Sequence, residues 1–270
     1  MKIILKLKIE LKRNLDLSEL SKLNNCNITI KKIRSIKFLY GTNLINIEKV
    51  FSIRLIKNKL GFNDFVIQGS SPYLNYLGFN WMVDSLVVHG DVGSYLGQRM
   101  KSGKIFVNGN CRDFLGSEMT GGLIKIKKNV GNYVGAPGIG SRTGMNGGEI
   151  FIAGNAGKYL ANFMRRGLIL VLGDVDDYCC FHMIAGSVVI KKRVGKNFAK
   201  MMKRGTLILF DSSNKLKCKL KFSNLENLVF LKLFAKYLKQ QFDINLPLKR
   251  EVKRYIFQGY NDNFGEVLIL

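Results

Sequence analysis

GDVGSYLGQRMKSG, residues 90–103, is followed by GNCRDFLGSEMTGG at 109–122 and by NVGNYVGAPGIGSRTGMNGG at 129–148. GNAGKYLANFMRRG at 154–167, GDVDDYCCFHMIAG at 173–186 and KRVGKNFAKMMKRG at 192–205 complete the series. The closing glycines Gly103, Gly122, Gly148, Gly167, Gly186 and Gly205 are spaced 19, 26, 19, 19 and 19 residues apart. Met100, Met119, Met145, Met164, Met183 and Met202 keep the same intervals. Two residue types held in phase through the series make a repeat array, and a period near 20 residues belongs to stacked architectures.

Counting from each closing glycine, the second residue on is Ile105, Ile124, Ile150, Ile169, Val188 or Leu207, and the fourth is Val107, Ile126, Ile152, Val171, Ile190 or Leu209. Leu86 and Val88 stand at the same positions one unit earlier. An apolar pair separated by one residue predicts a short strand with one face inward. Val92, Cys111, Val130, Ala156, Val175 and Val194, then Leu96, Leu115, Val134, Leu160, Cys179 and Phe198, supply further inward positions. No unit holds a helical period long enough for a helix, and none can bury its own apolar set. Stacking copies about 4.8 Å apart solves both problems. The fold class is therefore mainly β: a right-handed parallel β-solenoid of about 19-residue coils, roughly seven of them between Asp84 and Phe210. The glycines read as coil corners, with Asp91, Asn110, Asn129, Asn155 and Asp174 sharing the turns that need positive φ. A phosphate-cradling loop is excluded, since no helical pattern follows any of these glycines.

The flanks differ. Residues 1–64 predict an α+β region, with a strand over Ile3–Ile9, a short helix at Asp16–Leu23 and a strand at Lys49–Leu55. Residues 65–210 form the solenoid; within them Phe65–Met82 is a degenerate first coil, with Leu77, Gly78 and Met82 matching Leu96, Gly97 and Met100. Residues 211–270 form a helical and strand cap. There Leu225–Leu238 carries Leu228, Leu231, Ala235 and Leu238 on one helical face, with Ser223 or Asn224 as N-cap, followed by strands at Val252–Ile256 and Val267–Leu270. Such a helix would cover the open sheet edge of the last coil.

Forty-three Lys and Arg against 19 Asp and Glu give a net charge of +24. An AT-rich genome would enrich lysine by itself; an acidic partner would select it. Both readings stand. The apolar runs near each terminus are cut by lysines, so a signal peptide and membrane span are not expected. The five cysteines, at positions 26, 111, 179, 180 and 218, contain no CxxC pair. Cys111, Cys179 and Cys180 fall on apolar repeat positions and read as buried thiols in a reducing cytoplasm. Asp174, Asp176, Asp177, Cys179, Cys180 and His182 form a dense cluster, but in register their side chains scatter. Neither a metal site nor a catalytic group is expected, and no GxSxG elbow or histidine triad occurs.

Four outward features remain. The middle strand position holds Val87, Phe106, Phe151, Leu170, Val189 and Ile208, with Lys125 the polar exception; a strand apolar on both faces has something lying on it. A terminal segment folding back and a partner subunit are the two candidates. Beside it runs an aromatic ladder, Tyr95, Phe114, Tyr133, Tyr159 and Tyr178, read either as a stack that stabilises the coils or as an interface. Along the corner after each methionine, Lys101, Arg165, Arg166, Lys203 and Arg204 align on one edge, either as solvated charge or as a track for an acidic chain. The seven extra residues of the long unit, Pro137–Thr143, suggest an interface loop with Arg142 as a directional donor. Specific nucleic-acid recognition is not expected, because no recognition helix accompanies the charge.

The MxGG-type unit, the insertion GAPGIGSRTGM (135–145), the DLSEL start (16–20), and the LVFLKLFAKYL (228–238) and FGEVLIL (264–270) tail together resemble one family. It is the C subunit of the bacterial formyltransferase/hydrolase complex, related to the C subunit of archaeal formylmethanofuran dehydrogenase; the solenoid part is also similar to the last domain of glutamate synthase large subunits. The resemblance implies a non-catalytic scaffold among hydrolase-like and formyltransferase subunits. On those subunits a formyl group passes from tetrahydromethanopterin to a methanofuran-type cofactor and is released as formate. It further implies that the basic edge, Lys101, Arg165, Arg166, Lys203 and Arg204, has a ligand in that cofactor's oligoglutamate arm; Arg142, Phe106, Phe151, Tyr95, Tyr133 and Tyr159 are the candidate partner-interface residues, with the intramolecular readings of the strand face and the ladder left open. The equivalent subunit of the redox dehydrogenase, and a stand-alone basic solenoid binding nucleic acid or an anionic surface, are the alternatives.

Overall fold

A computed structural model describes residues 1–24, 28–56, 63–69, 71–210, 220–227, 229–248, 251–257 and 265–270. Cys26, Cys218 and Leu228 lie outside the described residues. The N-terminal segment supplies β1 (Lys2–Leu7), β2 (Leu15–Asp16), a 3-10 turn (Ser18–Leu23), α1 (Ile30–Arg34), the hairpin β3 (Lys37–Tyr40) and β4 (Asn43–Asn46), α2 (Ile47–Val50) and β5 (Phe51–Ile56). The coils follow with β6 (Asp64–Gln68), β7 (Leu74–Asn75), β8 (Ser85–His89), β9 (Lys104–Val107), β10 (Leu123–Ile126), β11 (Asn146–Ile152), β12 (Arg166–Val171), β13 (Ser187–Ile190) and β14 (Thr206–Leu209). The tail adds β15 (Leu220–Glu226), α3 (Val229–Phe242), β16 (Val252–Phe257) and β17 (Glu266–Ile269).

Among the described residues one 13-stranded sheet runs β15-β16-β17-β14-β13-β12-β11-β10-β9-β8-β6-β1-β5, and a 4-stranded sheet runs β4-β3-β2-β7. From β6 to β14 every pairing is parallel and in chain order, apart from the separate β7. Leu86, Ile105, Ile124, Ile150, Ile169, Val188 and Leu207 pair successively, as do Val88, Val107, Ile126, Ile152, Val171, Ile190 and Leu209. A second wall is marked by single bridges through Val92, Cys111, Val130, Ala156, Val175 and Val194. These columns, with the Leu96-to-Phe198 series and the six repeat methionines, are buried. The fold is thus a parallel β-solenoid whose core is ladders of like residues.

The six closing glycines take the positive φ expected of corners, from 82° at Gly103 to 106° at Gly167 and Gly186. Positive φ also falls, unexpectedly, on the aromatic ladder: Tyr76 55°, Tyr95 62°, Phe114 61°, Tyr133 61°, Tyr159 58° and Tyr178 60°. The residue two further on is also left-handed, as at Gly97 (65°) and Cys180 (57°). Interchain-like hydrogen bonding between coils explains it. Tyr95 N donates forward to Asp113 O (2.9 Å), whereas Gly97 N donates back to Leu77 O (2.9 Å). Alternating backbone handedness lets one stretch bond to the coils on both sides. The left-handed strain, roughly 1 kcal/mol or more per non-glycine residue, is opposed by ring stacking at 4.7–5.2 Å between centroids.

Asp91, Asn110, Asn129, Asn155 and Asp174 do not take positive φ. They form an acceptor ladder instead: each side-chain Oδ1 receives the backbone N–H of its counterpart in the next coil, from Asn110 N on Asp91 (2.7 Å) to Arg193 N on Asp174 (3.0 Å). Asn75, Asp113, Asn132 and Asp177 act likewise at a second corner.

In the first coil Trp81, fully buried, fills the methionine position, and Met82 is 52% exposed. The register confirms Trp81: Lys101 N donates to Trp81 O, as Thr120 N does to Met100 O. β1 extends the large sheet by pairing parallel with β6, and α1, β3 and β4 were not foreseen.

At the other end, Leu220–Glu226 is a strand, so Ser223 and Asn224 cap nothing, and α3 begins at Val229. Parallel pairing of β17 with β14 continues the last coil. The helix does not close the open end. It lies across the outer sheet face, where Leu231 and Leu238 bury against Leu168, Leu170, Val189 and Ile208.

Candidate functional site

The corner after each core methionine is fixed by its backbone bonds. Lys101, Thr120, Asn146, Arg165, Ile184 and Lys203 each donate to the coil before, at 2.7–2.9 Å, and so form one column. Arg166 and Arg204 follow in the next. All five predicted cations are exposed and on one edge. They are not evenly distributed: Arg165–Arg166 and Lys203–Arg204 lie two coils, about 10 Å, apart, and Lys101 stands three coils before Arg165, about 14 Å.

Arg99, just before this edge, is committed. Its Nε donates to Glu118 Oε2 at 2.7 Å, while Glu118 Oε1 accepts from Gly138 N at 3.1 Å. One carboxylate therefore ties the edge to the insertion. A Cβ at Gly138 would sit 2.6 Å from Glu118 Oε1 and 2.7 Å from Gln98 Nε2, so a side chain there would push aside the ends of both. Beneath it Ser117 is fully buried with an unpartnered hydroxyl. The insertion then turns through Ser141 N to Gly138 O (3.0 Å) and Ser141 Oγ to Thr143 O (3.3 Å). Its root is anchored, and its tip presents Ile139, 89% exposed, beside exposed Arg142. Ile139, Glu118 and Gln98 were missed from sequence. The 26-residue interval located the loop, but polar residues at variable positions gave no sign of which would hold it.

The other predicted interface residues separate. Tyr95, Tyr133 and Tyr159 are half-buried rungs of the ladder, which starts one coil earlier at Tyr76. Phe151 stacks on Phe242 at 5.5 Å, so its cover comes from this chain's own α3. Among the described residues no ring stacks on Phe106, which is half-buried.

The Asp/Cys/His cluster is dispersed. Asp174 accepts from Arg193 N and Nε (3.0 and 3.3 Å), and those bonds hold its carboxyl below the usual range. Asp177 serves the second acceptor ladder. Cys179 and Cys180 are buried with sulfurs 3.6 Å apart, and burial pushes the Cys180 thiol far up, as it does Cys111. His182 stacks on Phe163 (5.0 Å) and meets Phe181 edge-on. Burial, then Lys203, lowers its pKa. Among the described residues no group of three His, Cys, Asp or Glu is arranged to hold a metal, and no helix is long and apolar enough to cross a membrane. A cleft of about 740 Å³ in the N-terminal segment, lined by Asp16, Glu19, Lys22, Lys32, Lys37 and Leu44, was not foreseen, because its walls come from several separate elements.

Comparison with known proteins adds two findings. The family model described as the GXGXG motif matches residues 82–241. The X-ray crystal structure of the formyltransferase/hydrolase complex (FhcABCD) from Methylorubrum extorquens, in complex with methylofuran, contains a chain 28% identical to this one. It superposes with a TM-score of 0.86, covering 98% of this chain and 98% of that one. Among proteins of curated function, none matches.

Proposed function

The chain belongs to the GXGXG-motif family, and from that premise we propose that it is a scaffold subunit of a cytoplasmic formyltransferase/hydrolase complex. In this reading its hydrolase-like and formyltransferase partners carry out one-carbon transfer to and from a methanofuran-type cofactor. What carries the reading is the superposition over 98% of both chains, which spans the N-terminal segment, every coil and the tail, and not the repeat alone.

The residues favour a non-catalytic role. The described thiols are buried, and burial pushes those of Cys111 and Cys180 far up, away from the nucleophilic thiolate. His182, half-buried, packs between Phe163 and Phe181, and His89 meets Asn108 through Nδ1 at 3.2 Å. The exposed cations Arg165, Arg166, Lys203, Arg204 and Lys101 suit a flexible oligoglutamate by charge alone. Each such contact is worth roughly 0.2–1 kcal/mol in water, so this contact is weak, multivalent and salt-sensitive.

Purification of the tagged chain from its own cells under native conditions tests the subunit reading. Formyltransferase and hydrolase-like chains are expected in constant ratio with it. A molybdopterin-bearing partner, or the chain alone, would replace the reading. The arm contact is tested separately by reversing Arg165, Arg166, Lys203 and Arg204 to Glu: oligoglutamate binding should vanish with the fold intact. Nucleic acid outcompeting oligoglutamate for wild-type protein near physiological salt would overturn it.

A further inference from the structure

One continuous column crosses the outer face of the large sheet. Ile4 pairs with Val66, Val66 with Val87, Val87 with Phe106, Phe106 with Lys125, and Lys125 with Phe151. Leu170, Val189, Ile208 and Leu268 continue it. On a sheet with its other face in a core, outward positions are ordinarily polar. Here they are apolar along almost the whole width, and among the described residues α3 and the segment after it cover half of them.

From Phe151 to Leu268 the column lies under α3 and the segment that returns from it, with Leu231, Leu238, Ile244 and Leu246 buried against it. Lys125 marks the boundary. Its ammonium donates to Gln241 O (3.3 Å) in the last turn of α3 and sits 5.0 Å from the Phe242 ring centroid. The amine thereby caps the carbonyl end of the helix, where the dipole favours a cation. Beyond it Phe106, Val87 and Ile4 are half-buried and Val66, between Ile4 and Val87, is buried, yet none of the four belongs to either buried apolar cluster of the described residues.

The frame around these four residues is basic. Lys2 and Lys6 flank Ile4, Arg54 pairs with it, Lys104 stands beside Phe106, and Lys127 follows beside Lys125. The acid among them, Asp64, is engaged by Ser85 Oγ at 2.5 Å.

We propose that Ile4, Val66, Val87 and Phe106 receive an amphipathic helix with acidic flanks from another protein chain, laid end to end with α3. The covered half of the column supplies the precedent for the occupant's shape. Four strands at about 4.8 Å and a helix rise of about 1.5 Å per residue make the contact some three turns long. The cationic frame selects acidic flanks and disfavours a second copy of this chain, which would bring the same positive face. An apolar track one residue wide, edged by lysines, is also too narrow for a helix-like insertion into lipid. The proposal deepens the subunit reading and rests on it only for which chain donates the helix.

The test places a photoreactive benzoylphenylalanine at position 87 of the full chain, expressed in its own cells, and sequences the adduct by mass spectrometry. The expected adduct is one segment of another protein with apolar residues three or four apart and Asp or Glu beside them. Phe106→Lys, and the milder Phe106→Ser, should each cut its yield at least tenfold with the thermal midpoint held. An adduct to a second copy, to this chain, to lipid or to nucleic acid overturns the proposal, as does no adduct. Should the adduct be such a helix from a chain unrelated to formyl transfer, the surface stands and the subunit reading falls. Should both Phe106 variants assemble at wild-type yield with the formyltransferase and hydrolase-like chains, the subunit reading stands and the surface falls.

Discussion

The coils and the C-terminal tail bury apolar surface in opposite ways. Within the coils each inward side chain meets its own counterpart one unit away, Ile124 between Ile105 and Ile150, for example. In the tail every contact is made once. Tyr237 donates to Glu149, Lys125 to Gln241, Thr206 to Glu266, and Arg254 bridges Glu226 and Glu266 at 2.8 and 2.9 Å. A stack of equivalent rungs has no single keystone, but any rung is closed on both sides. Helix α3 can lift as a piece, because the strands beneath it are already paired with one another, whereas β17 is itself the next rung on β14.

The harshest way to break that contrast is a buried charge in the stack. Ile152 is fully buried between Ile126 and Val171. Ile152→Asp leaves an unpaired carboxylate in the core at a cost of several kcal/mol, and the chain should be insoluble or unfolded. Soluble, β-rich Ile152→Asp protein would refute the register.

Leu238→Ala probes the tail. The side chain is fully buried on the outer face, so its loss should cost about 2–5 kcal/mol locally. Amide exchange should accelerate in α3, β15 and β16 while β8–β13 keep their protection. Uniform acceleration would mean that the tail and stack unfold as one unit.

The same contrast explains what sequence made legible. Register in the coils could be read because every position is restated at fixed intervals, and the covered outer column could be read as covered. Which element covers it could not: β15 and α3 share an apolar run, and only pairing with β16, distant in sequence, makes Leu220–Glu226 a strand. In the first coil Leu77 and Gly78 are in register, as Gly97 N on Leu77 O shows, and only the methionine position slips, from Trp81 to Met82, because both are apolar. Handedness at the aromatic rungs was hidden because it is set by bonds to adjacent coils, not by the residue's own preference. At the candidate site the length of the insertion was visible, and so was the basic edge. Its interruptions at Thr120, Asn146 and Ile184 follow from the same count of positions.

A gentler comparison tests that handedness. Tyr133 stacks on Phe114 and Tyr159 at 4.9 and 5.2 Å with φ of 61°. Tyr133→Ala loses both stacks and retains the left-handed strain; Tyr133→Gly loses the stacks and releases it. Glycine should therefore be the less damaging substitution by about 1 kcal/mol, the reverse of its order in an ordinary strand. Equal midpoints for the two variants would show that the rung is not held left-handed in solution.

The smallest effect concerns His182, a side chain of the stack whose contacts are nevertheless unique. Stacked on Phe163 and against Phe181, it is held below the usual histidine range by burial first and Lys203 second. The folded chain therefore binds this proton more weakly than the unfolded chain does. The associated stability is fully present above the ordinary histidine pKa of about 6.5 and is lost as pH falls through the lowered folded value. Acidification from pH 7.5 to 5.5 should lower the thermal midpoint of the wild-type chain more than that of His182→Phe, which keeps the stack and has no proton to gain. Lys203→Met should reduce the difference without removing it, because burial is the larger cause. An identical pH dependence in wild type and His182→Phe would place the imidazole in water and the Phe163–His182 stack outside the folded core.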